Sequence, residues 1–146
     1  MTVLFSKKCE IGLQSVLYLS TEEEGILFNA LQVAKKVKQP KEFVSKVLQI
    51  LTKSGIVGSK KGKNGGFFLA KPAEKIKLLD IVEAIDGTEV FNKCILGFPE
   101  CSDEHPCPVH NKWHKIKDEL KEMLNSETLY DIKAQTFDKL LTLQSK

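Results

Sequence analysis

Gln39-Pro40 cuts a lysine-rich apolar stretch into two short helices, and this break constrains the fold more than any other feature of the chain. Before it, Asn29 is suited to cap a helix over residues 30–37, in which Leu31, Val33, Ala34 and Val37 are apolar. After it, Pro40 fits the first turn of a new helix, where its missing N–H costs nothing. That helix runs to Lys53, with Phe43, Val44, Val47, Leu48, Ile50 and Leu51 at helical spacing, and Ser54-Gly55 stops it. Two helices joined so tightly, the second amphipathic and basic, predict a helix-turn-helix.

Directly downstream, residues 56–61 and 67–70 read as two short strands around Gly62-Lys63-Asn64-Gly65-Gly66, with Asn64-Gly65 as the turn signal. A lysine-tipped hairpin in this position is the wing of a winged helix. The glycine-rich turn lacks the Gly-Lys-Ser/Thr ending and following helix of a phosphate loop, so no nucleotide site is expected there. Upstream, Ile11, Leu13, Val16, Leu17 and Leu19 predict a buried helix from Cys9 to Ser20, closed by the acidic run before Gly25. Downstream, residues 78–86 form a helix stopped by Gly87. A longer amphipathic helix follows over 111–125, with Trp113, Ile116, Leu120, Met123 and Leu124 on one face. In so small a domain that stripe needs a partner, and a second copy of the chain fits the symmetry of helix-turn-helix proteins. A last helix, from Ser126 to about Leu143, carries Leu129, Ile132, Phe137, Leu140 and Leu141.

The expected fold is therefore mostly α with a small β-hairpin wing. A winged helix-turn-helix DNA-binding domain occupies 1–87, a cysteine-rich cluster-binding loop 88–110, and a dimerisation helix with a C-terminal helix 111–146.

Charge points to the partner. The net charge is only +3, but residues 31–77 hold twelve lysines against Glu42 and Glu74, a local net of +10 that leaves −7 for the remainder. Such asymmetry predicts a polyanion-binding module joined to an acidic one, hence double-stranded DNA. All 22 basic residues are lysine, which holds phosphates well and reads guanine edges less rigidly than arginine does. The opening residues are too short for a signal-peptide core, and no stretch approaches the roughly 20 apolar residues that span a bilayer. A cytoplasmic protein without membrane or small-molecule partner is expected, in a compartment where thiols stay reduced.

Cys94, Cys101 and Cys107 fall within fourteen residues, followed by Pro108, Val109 and His110. Thiolates gathered in a loop bind metal, whereas cysteines placed for packing are scattered over helix and strand faces. The spacing is neither a Cys-x-x-Cys knuckle nor two separated pairs. Three thiolates and a fourth, non-thiolate ligand suit an iron–sulfur cluster. Zinc or a thiol–disulfide switch in the same loop is the alternative. A thiol oxidoreductase is disfavoured because Cys-x-x-Cys is missing, and no enzymatic activity is expected.

From its start to about residue 134 the chain resembles the Rrf2 family of bacterial transcriptional regulators. The residues that carry the match are Ser6-Lys7-Lys8-Cys9-Glu10-Ile11-Gly12-Leu13, Lys53-Ser54-Gly55-Ile56-Val57, Gly62-Lys63-Asn64-Gly65-Gly66-Phe67, the run from Leu79 to Gly87, and Cys94…Cys101…Cys107-Pro108-Val109-His110. The resemblance implies a homodimeric winged helix whose DNA binding is altered by a 2Fe–2S or 4Fe–4S cluster that senses redox state, iron supply or nitric oxide. The six residues between Cys94 and Cys101 exceed the five often found in the family, an extension that a flexible loop tolerates.

Cys94, Cys101 and Cys107 are the expected ligands. The resemblance offers two candidates for the fourth. His110 stands where regulators of cluster assembly supply a histidine, and Glu10 where nitric-oxide sensors supply a carboxylate from the partner subunit. His105 and His114 are further nitrogen donors near the loop, Asp103 and Glu104 are expected to keep it solvated, and Cys9 is expected half-buried in its helix. On the DNA side, Glu42, Ser45 and Lys46 lie opposite the apolar face of their helix and are candidates for base contacts. Lys41, Lys60, Lys61 and Lys63 are candidates for phosphate or minor-groove contacts, and Ser6 and Lys7 resemble the family's N-terminal backbone anchor.

Overall fold

The computed structural model describes residues 4–22, 25–99, 102–133, 135 and 142. Its helices are α1 (Lys7–Ser20), α2 (Ala30–Val37), α3 (Lys41–Lys53), α4 (Leu78–Asp86) and α5 (His110–Ser126). Strands β1 (Val57–Lys60) and β2 (Gly66–Leu69) follow α3, and 3-10 turns occupy Ala73–Lys75 and Glu89–Asn92. The fold is the expected winged helix-turn-helix. Of the final helix predicted from Ser126, residues 129–133 are helical, and most of the remainder lies outside the described residues. Among the described residues, no helix is long and apolar enough to cross a membrane.

The helix-turn-helix follows from local chemistry. Asn29 Oδ1 accepts from the Gln32 N–H and Gln32 Oε1 from the Asn29 N–H, both at 2.8 Å, so a capping box starts α2. The helix ends on Lys38 in the left-handed conformation, φ 55°. Pro40 lies one residue earlier than expected, at the N-cap of α3, where its carbonyl accepts from the Val44 N–H at 3.1 Å. Val44, Val47, Leu48 and Leu51 of α3 are fully buried against Ile11 and Val16 of α1, Val33 and Ala34 of α2, and Ile81 of α4. Gly12 leaves room on α1 for side chains of α3 and α4. A Cβ there would stand 2.2 Å from Ile85 Cδ1 and 3.3 Å from Val47 Cγ1.

The wing is an antiparallel pair running from Val57↔Leu69 to Lys60↔Gly66. Its turn differs from the expected one. The Gly65 N–H bonds the Gly62 carbonyl at 3.0 Å, so Lys63 and Asn64, rather than Asn64 and Gly65, are the central residues. Gly65 serves through size instead, because a Cβ there would lie 1.9 Å from the Lys60 carbonyl oxygen. Phe28 adds an isolated antiparallel bridge that sequence reasoning missed, pairing with Phe67 of β2 through two backbone bonds of 3.0 and 2.7 Å.

A second core joins α5 to this body. Cys9, Leu79, Val82 and Leu124 are buried together, with Phe91 and Leu120 against them. The apolar stripe expected on one face of α5 is therefore divided. Leu124 is buried within its own chain, while Ile116 and Met123 are about half exposed. Beyond α5, backbone bonds Leu78 N to Glu127 O (3.1 Å) and Leu129 N to Ile76 O (2.9 Å) tie the chain back, and Leu129 enters the main core.

Asp86, the last residue of α4, clamps the start of α1. Its Oδ2 accepts from the Ser6 N–H at 2.8 Å and its Oδ1 from the Ser6 hydroxyl, which itself accepts from the Cys9 N–H at 3.1 Å. Asp86→Ala removes the carboxylate that orients this cap. The expected loss is about 1–2 kcal/mol, read as a lower urea midpoint with an unchanged slope.

Candidate metal centre and DNA-facing surface

Cys94 leaves the 3-10 turn at Glu89–Asn92 and enters a tight reversal. Gly97, at φ 86°, bonds the Cys94 carbonyl through its N–H at 3.1 Å. That curl brings the backbone N–H groups of Leu96, Gly97 and Phe98 onto the Cys94 sulfur. Burial pushes the thiol up, but these donors and the Cys107 thiol outweigh it and hold Cys94 below the ordinary thiol value. Cys107 Sγ stands 3.7 Å from Cys94 Sγ. Two sulfurs each about 2.3 Å from one tetrahedral metal stand roughly 3.8 Å apart, so the pair already has a ligand spacing.

Around the two sulfurs is a cavity of about 510 Å³, whose lining includes Phe98, His105 and His110. His110 is brought there by a turn in which its N–H bonds the Cys107 carbonyl at 3.0 Å. It is the first residue of α5. Its buried ring holds Asp103 Oδ1 through Nε2 at 2.7 Å. The hydrogen bond to His110, then the electrostatic influence of that ring, hold the Asp103 carboxyl below its usual range. His114 stacks on His110 with ring centres 6.0 Å apart and approaches Asp118 at 3.6 Å. His105 is exposed at the rim. Trp113 Nε1 bonds the Lys93 carbonyl at 2.8 Å, pinning α5 to the residue before Cys94.

Cys101 lies outside the described residues. Among those described, no three His, Cys, Asp or Glu side chains form a group that would hold a metal ion. The donor set still fits a cluster or a zinc ion, with soft sulfurs at ligand spacing, N–H groups turned on a thiolate, and an imidazole on the same cavity. Glu10 lies elsewhere, in the first turn of α1, where it approaches Lys7 at 3.8 Å. Cys9 is fully buried rather than half-buried, and burial, with the charges of Asp86 and Glu10, pushes its thiol up to about 12. It is chemically quiet.

The DNA-binding candidates occupy three neighbouring places. Lys41, Glu42 and Lys46 are exposed along the N-terminal half of α3 and Ser45 is half-buried beside them, opposite fully buried Val47 and Leu51. Lys60, Lys61 and Lys63 are exposed on the wing. Ser6 and Lys7 line a groove with Phe43 of α3, and Asp86, Glu89 and Lys93 line the same groove. Lys93 precedes Cys94, so the groove runs from the start of the cysteine loop to the α1 terminus. Sequence reasoning missed Asp103, Asp86, Trp113 and Gly97 as contributors. Only Gly97 had a signal, a glycine three residues after a cysteine.

A family model, Rrf2, described as an iron-dependent transcriptional regulator, matches residues 5–135. A protein of Aquifex aeolicus (strain VF5) assigned as an HTH-type transcriptional regulator is 33% identical over 132 residues, covering 89% of this chain and 91% of that one. Among solved structures, CymR, the global cysteine regulator of B. subtilis, superposes with a TM-score of 0.74 at 24% identity, over 90% of this chain and 96% of that one. IscR of T. potens does so at 0.70 and 24%, over 89% and 85%. At that identity the two structures establish the fold alone.

Proposed function

Because the chain belongs to the Rrf2 family of iron-dependent transcriptional regulators, we propose that it is a homodimeric DNA-binding regulator controlled by an iron–sulfur cluster. Cys94, Cys101, Cys107 and His110 hold the cluster in this reading. The observation that carries it is the 3.7 Å approach of Cys94 and Cys107, with His110 on the same cavity. Glu10 of the second subunit is the competing fourth ligand.

When bound, the cluster supplies a centre whose oxidation, loss or nitrosylation reports on the cell. The protein's part is linkage. A loop ordered by thiolate ligation runs straight from Asp86 and Gly87 to Cys107, so its order bears on the Asp86–Ser6 clamp and on how α1 and α3 face DNA. The cluster shifts operator affinity only as far as it binds one arrangement of the dimer more tightly than the other. The N-terminal half of α3 enters the major groove with Glu42, Ser45 and Lys46. Lys41, the wing lysines, Ser6 and Lys7 hold the phosphate backbone. Exposed Ile116 and Met123 on α5 form the seam with the second copy.

Anaerobic purification tests this. A brown dimer with visible absorbance and acid-labile sulfide is expected, and His110→Ala should change its spectrum while Glu10→Ala does not. A colourless protein carrying stoichiometric zinc would refute the cluster.

A further inference from the structure

We propose that the groove between α3 and the wing holds one sugar–phosphate strand of the DNA, and that Lys53, with Gln49 and Thr52, forms its wall on α3. The proposal rests on the DNA-binding reading above and extends it to residues that sequence reasoning missed. The groove has a volume of about 560 Å³. Gln49, Thr52 and Lys53 line it from α3, and Ser59, Lys60 and Lys61 from the wing. Each wall therefore offers lysine ammonium groups and neutral polar groups. Among the described residues that line it, none is Asp or Glu. An anionic strand meets no like charge there.

Duplex geometry says what belongs in such a gap. The major groove is about 8.5 Å deep, whereas α3 rises about 16 Å from Glu42 to Lys53. With the N-terminal half of α3 on base edges, its C-terminal half stands at the phosphate rim. Lys46, Gln49 and Lys53 are exposed and recur at helical spacing, so the stripe that begins on bases ends beside the backbone. A wing over the adjacent minor groove is separated from α3 by a single strand, because one sugar–phosphate strand divides the two grooves. The gap is preset. The Ile56 N–H bonds the Leu51 carbonyl at 3.2 Å, so β1 leaves α3 without slack. The Phe28–Phe67 bridge ties β2 to the residue before the α2 cap.

Wild type, Lys53→Ala, Lys53→Arg and Lys75→Ala are titrated against a generic duplex over a range of salt. Lys75 is exposed on its 3-10 turn and does not line the groove, so it controls for loss of one surface charge. Lys53→Ala should bind about fivefold more weakly per bound chain at 0.1 M salt, with the salt slope flattened by about 0.9 per bound chain. Lys53→Arg should stay close to wild type, and Lys75→Ala should keep the slope, all with unchanged circular dichroism. On a duplex selected from a randomised pool, ethylation of the phosphate between the α3 bases and the wing's minor groove should block wild type. The same ethylation should lose its effect on Lys53→Ala. If wild type binds no duplex, the DNA-binding reading falls and the proposal with it. If wild type binds but Lys53→Ala keeps its slope and interference pattern, or Lys75→Ala flattens the slope equally, the proposal alone is overturned.

Discussion

Cys94→Ser should yield a folded but colourless protein, while Cys9→Ala should stay brown. The contrast comes from where the two sulfurs sit. Cys94 receives three backbone N–H groups in a reversal built around Gly97, an arrangement that stabilises a thiolate. A serine hydroxyl in its place stays protonated at neutral pH and is a poor ligand for iron, so acid-labile sulfide and visible absorbance should fall to near background. The fold should survive, because Cys94 belongs to neither hydrophobic core. Cys9 has the opposite character. Fully buried among Leu79, Val82 and Leu124, its thiol pushed up to about 12, it packs and does not react. Cys9→Ala removes one buried sulfur and should cost about 1 kcal/mol with the chromophore intact. Full absorbance in Cys94→Ser would mean that this sulfur binds no metal.

The elements of the fold were legible because each carries a local signal. Asn29 and Gln32 form a cap that sequence alone marks, Pro40 separates α2 from α3, and glycines bracket the wing. Side-chain partition was less legible. The period of α5 groups Ile116, Met123 and Leu124 on one stripe, yet which of them turns inward depends on Leu79, Val82 and Phe91, far away in sequence. The Asn64-Gly65 signal located the wing turn but not its type, since Gly65 is needed for space beside the Lys60 carbonyl. At the candidate site, residue types were readable and their partners were not. Asp103 looks like any solvating loop acid until it is found on His110, and Asp86 like a helix-terminal charge until it is found on Ser6. Contacts spanning 80 residues leave no trace in periodicity.

Replacing Lys60, Lys61 and Lys63 together by alanine should weaken binding to any duplex DNA roughly a hundredfold at 0.1 M salt. The three are exposed on the wing, and their backbone is set by the Val57↔Leu69 to Lys60↔Gly66 pairing, which the change leaves alone. Circular dichroism and melting should therefore match wild type. Each lysine that neutralises a phosphate releases about 0.9 of a counterion, so the slope of log affinity against log salt should flatten by about 3. A generic duplex suffices, because this term carries no sequence information. Glu42→Ala behaves differently if α3 reads bases. It should leave the salt slope unchanged and relax discrimination by about 1–3 kcal/mol at a single base pair, seen in a randomised-site selection. A triple variant that keeps the wild-type slope would show that the wing stays off the phosphates, and α3 with the α1 terminus would then have to supply the whole DNA-binding surface.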